Sequence, residues 1–352
     1  MVVYYLGVLA ITIFWLGVKK KEGESYSKKS RKKFCVFSWI VLSLIEGLRD
    51  FSVGTDTIQY AATFEMEQMD YYEIGFQLIG KFVHLFSDNP IVFLLIVSLI
   101  TNGLIFRAIY KNSSNVAVSA FTYMSLYYYF NSFNAVRQYL AIGLILCAYT
   151  FLKDDKFMKY FIFVLIAALI HTTAIVGLLL FPLYQLNLKR EIDKRNFVRW
   201  FGILLVFEIL FVYLFKNYFH SILEFFPRYM DAYGESDYYF EGRMSLQSIV
   251  TNALIFVVYL CFCENINFAM FLAISVFLSF GTIFSFLFHR IIWYFDVFSI
   301  FALADIWQTK TLNYKSRTIL RVAIFIACLS FMTYYLLMNV MKVGDYSFAN
   351  FL

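Results

Sequence analysis

Long apolar runs separated by short polar breaks dominate this chain. The runs cover residues 1–18, 34–48, 91–110, 115–131, 135–152, 158–181, 198–216, 246–263, 267–288, 291–308 and 318–340. A helix crosses a bilayer with roughly 17–25 apolar residues, and most of these runs meet or approach that length. Pro90, Pro182 and Pro227 each fall at or outside the end of a run, where a helix tolerates them. The pattern predicts an all-α fold: a polytopic integral membrane helical bundle of about 12 passes, forming one transmembrane domain over 1–352.

The polar breaks carry an orientation signal. Segment 19–33 holds eight Lys and Arg against Glu22 and Glu24, segment 185–199 holds five against Glu191 and Asp193, and segment 308–321 holds four and no acid. Basic short loops stay cytoplasmic. Segment 49–90 has seven acids against Arg49 and Lys81, and segment 217–245 has five against Arg228 and Arg243, so these two long loops should face outward. Residues 1–18 lack a basic leader and precede Lys19-Lys20-Lys21, which reads as a signal anchor. Both termini are then expected outside a bacterial cytoplasmic membrane.

One count fails to close. Five clear runs separate the basic segments 19–33 and 185–199, whereas two loops on one side require an even number. Either 71–87 also crosses, or 158–184 is a broken hairpin with His171-Thr172-Thr173 at its tip. The two repairs put Asn131–Gln138 on opposite sides. The hairpin is preferred because the polar insert interrupts an otherwise apolar stretch.

Composition agrees with a lipid environment. The chain is 61% hydrophobic and 15% charged, against about 25% charged for a soluble domain. Aromatic residues reach 21%, and its 27 tyrosines suit the headgroup boundary. The net charge of +6 sits in short loops rather than on a soluble face, so nucleic acid is not an expected partner. Cys35, Cys147, Cys261, Cys263 and Cys328 lie in or beside apolar runs without metal-ligand spacing, and read as small hydrophobes.

Charged and polar groups at span borders are the candidates for chemistry, because a charge at the bilayer centre costs roughly 2.5–3.5 kcal/mol. Gly47-Leu48-Arg49 leads into Gly54-Thr55-Asp56 and Tyr60. Asp56 can cap the following helix or, with Tyr60, contact sugar hydroxyls, while Arg49 suits phosphate. Asn134-Ala135-Val136-Arg137-Gln138 separates two runs. Arg137 can snorkel to the headgroups, or its planar fork can grip a diphosphate beside Asn134 and Gln138. His171 is either a satisfied hydrogen-bonding group or a base. His289-Arg290 should sit outside between two runs, with Tyr294 four residues on along the same helical face. No G-x-x-x-x-G-K-[ST] sequence and no D-x-D spacing occur, so neither an ATP-driven pump nor a metal-bound nucleotide-sugar site is indicated.

In order and spacing these segments resemble the EpsG family of Wzy-like polysaccharide polymerases. The pieces are Gly47-Leu48-Arg49 with Gly54-Thr55-Asp56 and Tyr60, then Glu73-Ile74-Gly75-Phe76 with Leu78, Asn134–Gln138 with Ala141, His171-Thr172-Thr173-Ala174, and Arg290 with Tyr294-Phe295. The resemblance runs from about residue 40 to 300 and is poorest after 310. It implies an inverting, metal-independent transferase that needs no cofactor and joins undecaprenyl-diphosphate-linked oligosaccharides at the outer leaflet into capsule, exopolysaccharide or O-antigen. Expected partners are that lipid-linked oligosaccharide, the bilayer, a flippase and a chain-length regulator. Arg137 and Arg290 are expected to hold the diphosphate, and His171 or Asp56 to take the acceptor's proton. Arg49, Asp56, Tyr60, Asn134, Gln138, Arg243 and Tyr294 are expected to contact substrate. A lipid-linked oligosaccharide flippase or a polysaccharide exporter is the alternative reading.

Overall fold

The computed structural model describes residues 1–18, 26–189, 194–215, 246–263, 267–283 and 287–349. In chain order its helices are α1 Val2–Gly17, α2 Lys28–Gly47, α3 Thr57–Glu65, α4 Ile74–His84, α5 Pro90–Asn112, α6 Val116–Ser125, α7 Tyr128–Asn131 and α8 Val136–Lys153. They continue as α9 Phe157–Ile170, α10 Leu180–Lys189, α11 Lys194–Phe215, α12 Leu246–Phe262, α13 Ala269–Phe280, α14 Leu287–Asp296, α15 Ser299–Trp307 and α16 Tyr314–Leu337. The described residues contain no strand. They fall into two compact units, one from Met1–Gly177 and Leu303–Leu352, the other from Leu178–Ala302.

The first unit is built around α2, α5 and α8, packed in sequence, with α9 along α8. Small polar residues let the first two approach closely: Ser98 Oγ donates to the Ser43 carbonyl at 2.9 Å, and Ser43 Oγ donates back to the Ser98 carbonyl at 3.3 Å. Helix contacts between small residues are the usual solution where lipid removes the hydrophobic drive for association. Three described helices are long and apolar enough to cross a bilayer alone, namely α5, α8 and α16. Of the most apolar stretch of each, 78% of α8 is buried but only 17% of α16, so α8 is the central post and α16 lies at the outside of the unit. Among the described residues six further apolar helical stretches, α1, α6, α9, Thr172–Leu186, α12 and α13, have 10–17 residues, and the structure does not carry a count of about twelve passes.

Several expected spans are broken, each at an identifiable place. The run 115–131 divides at Tyr127, whose φ of 71° ends α6 and starts the single turn of α7. The run 291–308 divides between α14 and α15. The run 158–181 divides at His171, which is extended (φ −150°, ψ 113°), and a 3₁₀ helix follows over Thr172–Leu179. Tyr160 OH nevertheless donates to the Gly177 carbonyl at 2.6 Å. In a continuous helix those residues would lie about 25 Å apart. The chain therefore turns back at His171, and 157–177 is a hairpin with the polar insert at its tip.

Helices α4, α6 and α9 are all shorter than a bilayer crossing needs. Helix α4 has 11 residues, or about 16 Å, too short to span a hydrocarbon core of about 30 Å. Arg31 at the start of α2 donates to the carbonyls of Tyr110 and Ser113 at the end of α5, so the two helices are antiparallel. The first unit thus has a basic end, with Lys28–Lys33 and the close of α5, and an opposite end that gathers residues 47–76, 131–138 and the His171 tip.

The second unit packs α13 against α11, α12 and α14. Inside it Asn252 Nδ2 donates to Ser279 Oγ at 3.1 Å, and the hydroxyls of Ser275 and Ser279 bond back to carbonyls of their own helix.

Candidate functional site

At the end of the first unit opposite the lysines, three segments distant in sequence bring charged groups together. Close backbone approach does the positioning. Gly75, in the first turn of α4, lies so near the last turn of α9 that a Cβ there would be 2.8 Å from the Leu169 carbonyl oxygen. Only glycine fits that crossing, and it holds Glu73, the residue preceding α4, against the hairpin tip. Arg137 enters from the first turn of α8.

One carboxylate joins the other two groups. Glu73 Oε2 pairs with Nη1 of Arg137, while Glu73 Oε1 lies 3.3 Å from Nδ1 of His171. Oε1 also accepts from the backbone N–H of Thr172 at 3.2 Å and from its hydroxyl at 3.4 Å. The guanidinium lies over the ring of Tyr72, 4.5 Å from its centroid, and its Nε reaches Tyr60 OH at 3.5 Å. Tyr60, Tyr72 and Phe76 form a mutually packed aromatic wall behind it. Among the described residues nothing accepts a hydrogen bond from Nη2 of Arg137.

The cluster is enclosed but not sealed. The side chains of Arg137, Glu73 and His171 are 20%, 13% and 11% exposed. Burial by itself pushes the Glu73 carboxyl up, but the hydrogen bond with His171 and the neighbouring Arg137 charge outweigh it and hold the carboxyl well below its usual range. Glu73 is therefore a fixed anion at neutral pH. Its ionised form contributes stability in full above the unfolded value of about 4.3, and that contribution is lost as pH falls through the lower folded value. Nδ1 of His171 faces Glu73, and Nε2 lies on the other side of the ring, closed to solvent. Among the described residues no group of three or more His, Cys, Asp or Glu side chains could hold a metal ion.

Other expected contact residues have structural duties. Arg49 is 1% exposed. It donates to the Glu46 carbonyl at 2.5 Å, the Phe133 carbonyl at 2.9 Å and the Thr57 hydroxyl at 3.2 Å. In place of the rim position expected for it, Arg49 lies inside the protein and fastens the end of α2 to the turn before α8. Asn134 is also buried. Its Oδ1 accepts from the Thr55 amide at 2.5 Å and the Asp56 amide at 3.2 Å, and its Nδ2 donates to the Met341 carbonyl at 3.3 Å. Gln138 is buried too. Asp56 is half-buried and precedes α3 without capping it through its side chain; its Oδ1 accepts from the Thr55 hydroxyl instead. The turn before it depends on Gly54, whose φ of +98° strains any other residue.

Arg290 and Tyr294 belong to the second unit, both on α14. Arg290 stands inside the first turns of that helix rather than in a connecting loop, and is half-buried, while Tyr294 is buried. Arg243 lies outside the described residues. The structure thus brings Tyr60, Arg137 and His171 together and adds Glu73, Tyr72 and Thr172. Sequence reasoning left Glu73 without a role, since it is one of seven acids in its segment; its place two residues before Gly75 was the available signal.

Residues 339–349 were also missed. Main-chain bonds tie them to the segment after α2: Ala349 N to the Leu48 carbonyl, Asp50 N to that of Ser347, and Gly54 N to that of Lys342. Tyr4 OH donates to the Val343 carbonyl, and Tyr346 OH to that of Ile45.

Comparison with curated proteins and with solved structures returns no match. The model of the EpsG family matches residues 32–348, a span that includes most of α2 and every segment of the cluster as well as nearly all of the late stretch tied to Leu48–Gly54. This is a helical membrane protein whose chain, over nearly its full length, belongs to the EpsG family.

Proposed function

We propose that the protein polymerises undecaprenyl-diphosphate-linked oligosaccharide repeat units on the outer face of the cytoplasmic membrane. Membership of the EpsG family supports a Wzy-like polysaccharide polymerase role in general. The observation that carries the site assignment is the single Glu73 carboxylate shared by the Arg137 guanidinium and the His171 imidazole. It presets a phosphate-binding cation beside a base, which is what transfer from a lipid diphosphate requires.

In this reading a hydroxyl of the acceptor sugar attacks the anomeric carbon of the donor from the face opposite the diphosphate. The bond from that carbon to the diphosphate oxygen breaks, and its electron pair leaves with the lipid diphosphate. The hydroxyl proton passes to His171 Nε2. Arg137 stabilises the charge growing on the leaving group, and a fixed cation in a partly dry site acts strongly at that stage. Glu73 orients both groups and stays ionised. His171 is favoured over Asp56 as base because it is the group held against Glu73. Arg290 is proposed as a second contact to the diphosphate, on the strength of the family resemblance alone. The exposed residues Ile74, Leu78 and Phe82 lie on the helix that follows Glu73, and offer an apolar track for an isoprenoid chain entering from lipid. An outward orientation of this end is supported by the acidic segment 49–90 beside it and by the lysines at the opposite end.

The test is incubation of the purified protein with a defined lipid-linked repeat unit, followed by sizing of the product on a gel. A ladder of lengthened products is expected, and Arg137→Ala should leave single units only. Normal-length polymer from Arg137→Ala at normal protein level rejects the assignment, and transbilayer movement without lengthening identifies a flippase.

A further inference from the structure

The basic end of the first unit carries a different feature, one that glycosyl transfer does not use. Between α2 and α5 runs a groove of about 230 Å³. Its depth is lined by Val36 and Trp39 from α2 and by Gly103 and Phe106 from α5, and Lys32 and Arg107 stand among its walls. On each helix these positions follow the three- and four-residue spacing of one face, so the two faces make a continuous furrow along the helix axes. From Lys32 to Trp39 it extends about 10 Å toward the bilayer interior.

The furrow is preformed. At its basic end Arg31 ties the helices together through the Tyr110 and Ser113 carbonyls at 3.2 and 2.7 Å. At its deep end Trp39 Nε1 donates to the Leu99 carbonyl at 2.8 Å and lays its ring against Gly103. A second groove of about 460 Å³, lined by Phe14 and Phe37 among others, runs on the other side of the ridge made by Lys32 and Val36.

The exposed cations at this end cluster around the furrow. Lys29, Lys32, Lys33, Arg107 and Lys111 are all exposed. Among the described residues none of them pairs with a carboxylate. A set of cations above two apolar furrows matches a ligand with an anionic head and two hydrocarbon chains. A zwitterionic head would bring its own cation into the same cluster.

We propose that this end of the protein is a binding site for one anionic diacyl phospholipid of the surrounding bilayer. Its phosphate sits on Lys32 and Arg107, with Lys29 and Lys33 nearby. One chain lies in the α2–α5 furrow and the other beyond the Val36 ridge.

The experiment is native mass spectrometry of the full-length protein in detergent, titrated with phosphatidylglycerol or phosphatidylcholine. The unaltered protein should retain one phosphatidylglycerol at least about tenfold more tightly than phosphatidylcholine. Each cation near an anionic head contributes about a fivefold factor, so Lys32→Gln with Arg107→Gln should weaken phosphatidylglycerol roughly thirtyfold and leave phosphatidylcholine unchanged. Val36→Trp, which fills the furrow without touching charge, should also weaken phosphatidylglycerol. Lys310→Gln with Lys315→Gln, exposed cations elsewhere, should change nothing. Equal retention of the two lipids overturns the proposal. So does an equal loss in the Lys310 and Lys315 pair, or unaltered binding in either groove variant.

Discussion

Arg49 and Arg137 lie at the same end of the same unit and have opposite fates. Arg49 spends its donors on the Glu46 and Phe133 carbonyls and the Thr57 hydroxyl, and is buried. Arg137 faces a carboxylate and an aromatic ring, with its side chain one-fifth exposed. The first uses its fork to replace missing helix and turn hydrogen bonds. The second is held by a partner that a phosphate oxygen can match. An arginine at the edge of a span is a ligand contact only when the surrounding main chain leaves it donors to give.

Variants can break that contrast. The largest effect is expected from Arg49→Ala, which strands buried acceptors and should cost roughly 3–5 kcal/mol. It should appear as lower thermal stability in detergent and lower protein level, with activity per folded molecule retained. A stable but inactive Arg49→Ala protein would return Arg49 to the substrate. Next, Arg137→Lys should keep the fold and lose about 10²–10³-fold in polymerisation rate, since an ammonium cannot offer two parallel N–H groups. Thermal unfolding measured beside product sizing separates the two outcomes.

Glu73→Gln should have a smaller effect, roughly tenfold to a hundredfold on rate, less than the 10²–10⁴ typical for loss of a general base itself. Its signature is a pH profile. The Glu73 carboxylate favours the protonated imidazole, so removing it should move the acid limb of the activity profile to lower pH. An unshifted limb would show that His171 is not the titrating base. Smallest is Gly75→Ala, whose Cβ would crowd the Leu169 carbonyl, with an expected cost of about 1–3 kcal/mol from overpacking. Denaturation midpoints compared with those of Gly202→Ala, where a Cβ meets nothing within 4 Å, would check it.

Much of this was legible in the chain. The His171-Thr172-Thr173 insert betrayed the hairpin, because three polar residues inside an apolar run are costly to leave in hydrocarbon and mark a turn back toward water. Arg137 stood out for the same reason. Glu73 did not, since an acid in an acidic outer segment carries no contrast. Arg49 and Asn134 were expected at the substrate because a buried polar group that serves the main chain and an exposed one that serves a ligand look the same in sequence. The tie made by 339–349 was invisible for a deeper reason. Each of the bonds that make it ends on a main-chain carbonyl, which every residue type supplies.

That tie also sets an order of events during synthesis. Tyr346 meets Ile45 across 301 positions of chain. At about 5–20 residues per second, the ribosome needs tens of seconds to make what lies between them. For all that time the stretch after α2 waits without its edge, and a nascent chain cut short before residue 339 would leave the turn at Leu48–Gly54 without these main-chain partners. The fold of that early stretch is thus completed last, when the late residues reach back to it.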